Sequence, residues 1–221
     1  MINTAKYHEL IAETSGKATL VAVSKKKTVE DIRQLYDLGQ KDFAENYVQE
    51  LIEKQSSLPK DIRWHFIGHL QSNKVKSIAP FVTLIHSVDS FKLLKEINKE
   101  ALRNNRIIDC LLQVHIATEE TKYGLDEQEL QEIASNKELP TLQNVSIKGL
   151  MAMASFTDDA VQVRKEFRAL KTLSDQYAQR LLPTLDQPII SMGMSADYPV
   201  ALEEGSTLVR IGSLLFGERN S

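Results

Sequence analysis

The sequence predicts an α/β fold: a single TIM (β/α)8 barrel with an extra N-terminal helix, occupying residues 1–221 as one domain. Three observations carry that prediction. Eight short apolar runs, often β-branched, recur along the chain, and helix-like stretches separate them. Their apolar character is near-continuous, as in strands buried on both faces of a parallel sheet. Eight strand–helix units of about 28 residues fit a barrel near the small end of its size range. A doubly wound open sheet of five or six strands is the alternative, and the count of eight favours the barrel.

The elements follow in order. Residues 3–14 show helical spacing and precede the first strand candidate, TLVAVSK at 19–25. In the helix at 28–38, Thr28 is the N-cap, with Asp31 three residues on. Val29, Ile32, Leu35 and Leu38 form its apolar stripe, and Gly39 stops it. Strand candidates continue at 41–46, 63–69 and 84–89. The helix at 90–103 carries Phe91, Leu94, Ile97 and Leu102 in a similar stripe. Strands at 109–116 and 147–155 lead to the longest helix, 158–179, with Val163, Phe167, Leu170 and Leu173 on one face. The last two strands are IISMGMS at 189–195 and TLVRIG at 207–212, and SLLF at 213–216 forms a short terminal helix.

Composition excludes several classes. Charged residues make 26% and apolar residues 42%, ordinary for a globular chain. The net charge of −3, with Lys and Arg interspersed among Asp and Glu, gives no nucleic-acid patch and no attraction to anionic membranes. Gly and Pro together make about 7%, which excludes collagen-like and linker-rich chains. No basic-then-apolar leader opens the sequence, and no run approaches the roughly 18–20 apolar residues of a membrane span. Cys110 is alone, so no intrachain disulfide or CxxC site forms, and a reducing, cytoplasmic compartment is expected.

In a barrel, chemistry gathers at the C-terminal ends of the strands. Lys25 ends the first apolar run. There partial desolvation lowers an amine's pKa and frees it to form a Schiff base with an aldehyde. The ordinary alternative is a solvated lysine within Lys25-Lys26-Lys27. Ser191-Met192-Gly193-Met194-Ser195 and Arg210-Ile211-Gly212-Ser213 close the last two strands, where barrels often bind phosphate. Gly193 and Gly212 permit close backbone approach, and Ser191 and Ser195 offer hydroxyls. Small residues in an ordinary turn are the alternative. Sharper motifs fail. Asp197 stands where a G-x-S-x-G nucleophile elbow needs glycine. His65 and His69 on a strand lie about 13 Å apart, too far to share one metal ion, so His65 reads as a barrel-interior or packing histidine and no metal is expected. No GxxxxGK[ST] or GxGxxG is present.

AVSKKK at 22–27, FAENYVQE at 43–50, WHFIGHLQSNK at 64–74 and HSVDS at 86–90 carry a family resemblance. KYGL at 122–125, KGLMAMA at 148–154, SMGMSADYPVALEEGSTLVRIG at 191–212 and LFGER at 215–219 extend it over nearly the whole chain. The sequence resembles the pyridoxal-phosphate homeostasis protein family, whose barrel is similar to the N-terminal domain of alanine racemase. The resemblance implies a pyridoxal 5′-phosphate (PLP) binding protein of vitamin B6 homeostasis without established turnover. It assigns the cofactor to Lys25. Asn46, Ser191, Gly193, Ser195, Arg210, Ile211 and Gly212 become further cofactor-binding residues, and Met151 a ring contact. It departs from the family at VSKKKT, where Lys26 and Thr28 replace Thr and Pro, and at FAEN, where Ala44 replaces Gly.

PLP needs a lysine for its aldehyde, a cup for its phosphate and a partner for its pyridine nitrogen. An arginine there only donates, so the ring nitrogen stays unprotonated and the cofactor is a weak electron sink. The expectation is a non-catalytic carrier, monomeric, with apo PLP-dependent enzymes as candidate recipients. A PLP-dependent amino-acid racemase and a cofactor-free Schiff-base aldolase are the alternatives.

Overall fold

The computed structural model describes residues 2–118, 123–181 and 187–217. Lys122 of the KYGL run, and Glu218 and Arg219 of the LFGER run, lie outside the described residues. Eight strands close into one barrel in chain order: β1 (Thr19–Val23), β2 (Asp42–Glu45), β3 (Arg63–Phe66), β4 (Leu84–Val88), β5 (Ile108–Gln113), β6 (Val145–Met151), β7 (Ile189–Ser191) and β8 (Leu208–Ile211). Every neighbouring pair is parallel, and β8 pairs with β1 in the register Leu20↔Val209 and Ala22↔Ile211. The TIM-type barrel read from the apolar runs is the architecture found. The strands end earlier than those runs. Ser24 and Lys25, for example, leave the ladder after Val23 and turn onto the rim.

The helices are α1 (Thr4–Thr14), α2 (Val29–Asp37), α3 (Val48–Ser57), α4 (Val75–Ile78), α5 (Phe91–Arg103), α6 (Glu127–Ala134), α7 (Ala160–Leu181), α8 (Tyr198–Glu203) and α9 (Ser213–Phe216). The extra N-terminal helix is α1, tied to α9 by the Asn3 N–H on the Leu215 carbonyl at 2.7 Å. Local chemistry places the helix starts. Thr28 caps α2 by accepting the Asp31 N–H at 3.1 Å, and Ser90 caps α5 by accepting the Leu93 N–H at 3.2 Å.

Side chains alternate between two cores. Val21, Ala44, Leu84, Leu111, Met151 and Leu208 point into the barrel. Leu20, Ala22, Phe43, Phe66, Ile85 and Ile211 point outward, into the shell shared with the helices. A run buried on both faces must be apolar at every position, which is why the strands read as continuous rather than alternating. The interior also holds His65, His86, Ser191 and Arg210, all buried. Among the described residues, no helix is long and apolar enough to cross a membrane.

Candidate functional site

A cavity of 310 Å³ opens at the C-terminal ends of the strands. Of the nine residues singled out from the sequence, Lys25, Asn46, Met151, Ser195, Arg210 and Gly212 line it. Ser191, Gly193 and Ile211 do not.

Lys25 is half-buried and sits between two anchors. Before it, the Ser24 hydroxyl donates to Glu45 Oε1 at 2.6 Å, and the Ser24 carbonyl accepts from Lys54 Nζ at 2.7 Å. After it, Lys26 adopts a left-handed φ of 59° and donates its N–H to Glu50 Oε1 at 2.5 Å. A non-glycine residue in that region is uncommon and is held there by its surroundings. Lys54, on α3, ties the anchors together through Glu45 at 2.7 Å and Glu50 at 2.6 Å. Burial pushes the Glu45 carboxyl up to about 7, against the pull of Lys54 and Ser24. Lys27 also lines the cavity, but its ammonium donates to the Phe216 carbonyl at 3.0 Å.

Asn46 follows β2, and its Oδ1 is buried with no hydrogen-bond partner among the described residues. Such an orphaned acceptor costs free energy unless a ligand or water meets it. Gly68 is what admits Asn46 here. A Cβ at Gly68 would lie 2.0 Å from the Asn46 carbonyl oxygen. Met151 is buried at the end of β6, where it belongs to the interior core and to the cavity floor.

Across the cavity, Arg210 points inward from β8 and is 3% exposed. Its Nη1 donates to the Ser191 carbonyl at 2.8 Å and to the Ser191 hydroxyl at 2.6 Å, and its Nη2 to the Ala152 carbonyl at 3.0 Å. Among the described residues, these bonds use neither the Nε–H nor the second Nη2–H. Burial pulls the guanidinium down to about 10, with Asp197 opposing, so it stays cationic at neutral pH. Ser191, read from the sequence as a hydroxyl for an anion, instead sits under Arg210 and contacts His86 Nδ1 at 3.0 Å. Gly193 works through its backbone. Its carbonyl accepts the Arg210 N–H at 2.9 Å, and at φ 95° a Cβ would fall 2.6 Å from Ala201 Cβ of α8. Ile211 alternates with Arg210 and packs in the outer shell.

Between these flanks, the Ser195 hydroxyl accepts the Gly212 N–H at 3.2 Å, joining the two loops in front of α9. Ser213, at the first position of α9, also lines the cavity. Sequence reasoning did not single out Ser24, Glu45, Glu50, Lys54 or His86 as parts of the site. Glu45 carried a signal, since a carboxylate among the apolar residues of a strand requires a partner. Lys54 carried none, because its burial depends on α3 folding over β2. Among the described residues, no group of three or more His, Cys, Asp or Glu is placed to hold a metal.

Comparison with known proteins places the chain in a family. Residues 3–220 match the family described as "Alanine racemase, N-terminal domain". A pyridoxal phosphate homeostasis protein of Aquifex aeolicus is 45% identical over 204 residues, covering 91% of this chain and 87% of that one. The protein of the same name from Homo sapiens is 41% identical, covering 91% of this chain and 76% of that one. The PLP-bound structure of PipY from Synechococcus elongatus superposes with a TM-score of 0.86 at 36% identity, covering 96% of this chain and 99% of that one. An alanine racemase of Bartonella henselae shares the fold alone, with a TM-score of 0.73 at 18% identity, covering 98% of this chain and 60% of that one. The chain therefore belongs to the pyridoxal phosphate homeostasis protein family, within the larger group that shares the alanine racemase N-terminal domain.

Proposed function

We propose that the chain binds PLP in the cavity at the barrel mouth, covalently through Lys25, and acts as a non-catalytic carrier in vitamin B6 homeostasis. The observation that supports this most is that one cavity gathers a half-buried lysine, an orphaned asparagine oxygen and a buried arginine with two donors to spare. When bound, PLP supplies an amine-reactive aldehyde and an electron-withdrawing ring. Lys25 meets the aldehyde, and Asn46 lies on the same flank. Arg210 offers its remaining N–H groups to the pyridine nitrogen, and Ser195, Gly212 and Ser213 receive the phosphate. Ser191, Gly193 and Ile211 contribute by placing Arg210 and the loops.

Two features favour a carrier over a racemase. An arginine facing the ring nitrogen donates without giving up its proton, which weakens the ring as an electron sink. Racemisation also needs an acid/base on the second face. The described residues lining the cavity include no Tyr, His, Cys, Asp or Glu, and its second lysine, Lys27, is tied to the Phe216 carbonyl. The chain is read as a cytoplasmic monomer that passes PLP to apo-enzymes, checked by their activation on mixing. The decisive test of the carrier reading is α-proton exchange of D- and L-alanine in heavy water with the PLP-loaded protein. Background exchange is expected, and robust turnover would replace the carrier with the racemase.

A further inference from the structure

Below the cavity floor, polar side chains cross the barrel interior in single file. Arg210 Nη1 reaches Ser191 Oγ at 2.6 Å, and Ser191 Oγ lies 3.0 Å from His86 Nδ1. His86 Nε2 lies 2.9 Å from His65 Nδ1, and His65 Nε2 lies 3.1 Å from Asp42 Oδ1. The file runs from β8 through β7, β4 and β3 to the first residue of β2. Asp42 borders a second cavity, of 280 Å³, which it shares with Gln40, Lys41 and Arg63. Strand register puts the middle of the file together, since His65 and His86 face inward from adjacent strands, with their rings 5.2 Å apart.

The Asp42 end dictates the direction of every bond up to Ser191, which accepts from Arg210. A guanidinium only donates. Burial would push the Asp42 carboxyl up, but hydrogen bonds from His65 and Arg63 outweigh it and hold the group below the usual carboxylate range, so it only accepts. With one proton on each ring, His65 must donate from Nε2 to Asp42, which leaves its Nδ1 an acceptor. His86 then donates from Nε2, which leaves its own Nδ1 to accept the Ser191 O–H. The Ser191 oxygen accepts from Arg210. Every member is satisfied in this arrangement, and the reverse one would set a His65 Nε2 lone pair against the Asp42 carboxylate. Burial, with the Arg210 cation also nearby, holds the His86 imidazole well below its ordinary value and neutral. Satisfied buried networks of this kind fix a geometry, whereas partly satisfied ones are costly.

We propose that Asp42, His65, His86 and Ser191 are positioning residues for Arg210, forming a hydrogen-bond file of one polarity that aims its guanidinium at the pyridine nitrogen. The inference rests on Arg210 being the partner of that nitrogen. A core network that merely filled the barrel would affect stability alone. A positioning file also affects how the cavity reads the ring nitrogen.

The test has two arms. In ¹⁵N-labelled apoprotein, two-bond ¹H–¹⁵N spectra report the tautomer of each ring. Both His65 and His86 are expected as Nε2–H imidazoles, and a proton on the Nδ1 of either ring overturns the polarity. The second arm compares dissociation constants for PLP and its 1-deaza analogue, in which CH replaces the ring nitrogen. Ser191→Ala is expected to weaken PLP by about threefold or more, for one lost charge-assisted bond, and to leave the analogue unchanged. Asp42→Asn, at the far end of the file, gives a smaller selective loss. Equal loss for both ligands, or no loss in Ser191→Ala, overturns positioning. Arg210→Gln separates the two readings. If it too weakens both ligands equally, the assignment of Arg210 to the ring nitrogen fails, while the apoprotein spectra still judge the file.

Discussion

The β1–β2 flank of the cavity sets Lys25 among full charges, with Glu45, Lys54 and Glu50 bonded in a cluster behind it. The β7–β8 flank hydrogen-bonds Arg210 to neutral groups, the Ser191 hydroxyl and two carbonyls, with a histidine that burial keeps uncharged behind Ser191. The charged cluster contains a carboxyl near 7, so it titrates where cells work, and the neutral flank does not. The neutral flank suits an arginine that must stay charged and still.

The largest effect that separates the flanks is expected from Lys25→Ala. It should abolish visible absorbance from bound cofactor and any borohydride-fixed adduct, with the circular dichroism of the barrel unchanged. Retained adduct formation in that variant would break the assignment of the two flanks. The next effect lies between them. Ser195→Ala should weaken PLP by roughly tenfold and pyridoxal, which lacks the phosphate, much less, since a charge-assisted hydrogen bond is worth about 1.5–3 kcal/mol. Matched losses in paired titrations would take the phosphate away from Ser195.

The third sharpens the difference in pH response. The folded value for Glu45, about 7, lies above the ordinary 4.5. Its contribution to stability is therefore fully present below about 4.5 and is lost as pH rises through about 7. Glu45→Gln does not ionise, so its stability relative to wild type should improve with rising pH over that window, by about 1–3 kcal/mol. Denaturant melts at several pH values measure this, and a constant difference would show that Glu45 is not the titrating group. The smallest effect belongs to Cys110. It is fully buried, and burial pushes its thiol far up, so thiol reagents should label it only after unfolding.

The barrel was legible because each strand is buried on both faces, and burial writes itself into sequence as an apolar run. The rim residues were legible for a related reason. Lys25, Ser195 and Arg210 are polar interruptions at the ends of those runs, and Asn46 came from the family resemblance. The supporting groups were not legible. Ser191 and Ser195 look alike in SMGMS, yet one hydroxyl points under Arg210 and the other into the cavity mouth, because β7 ends at Ser191. His65 and His86 lie 21 residues apart and meet only through the β3–β4 register. Lys54 reads as one more surface lysine of a polar helix until α3 lays it across the end of β2. Interactions set by one element's own pattern show in sequence, and those set by two elements meeting do not.

Two lysines, Lys25 and Lys27, line the cavity, and the whole arrangement turns on which of them holds the cofactor. Lys25 lies between the two anchored residues Ser24 and Lys26, whereas the Lys27 ammonium is tied to the end of α9. The most direct measurement loads the purified protein with PLP, reduces it with borohydride and maps the pyridoxyl group by peptide mass spectrometry. The modification is expected on Lys25, at one equivalent per chain. A modification on Lys27 or Lys74, with Lys25 unmodified, would contradict the assignment.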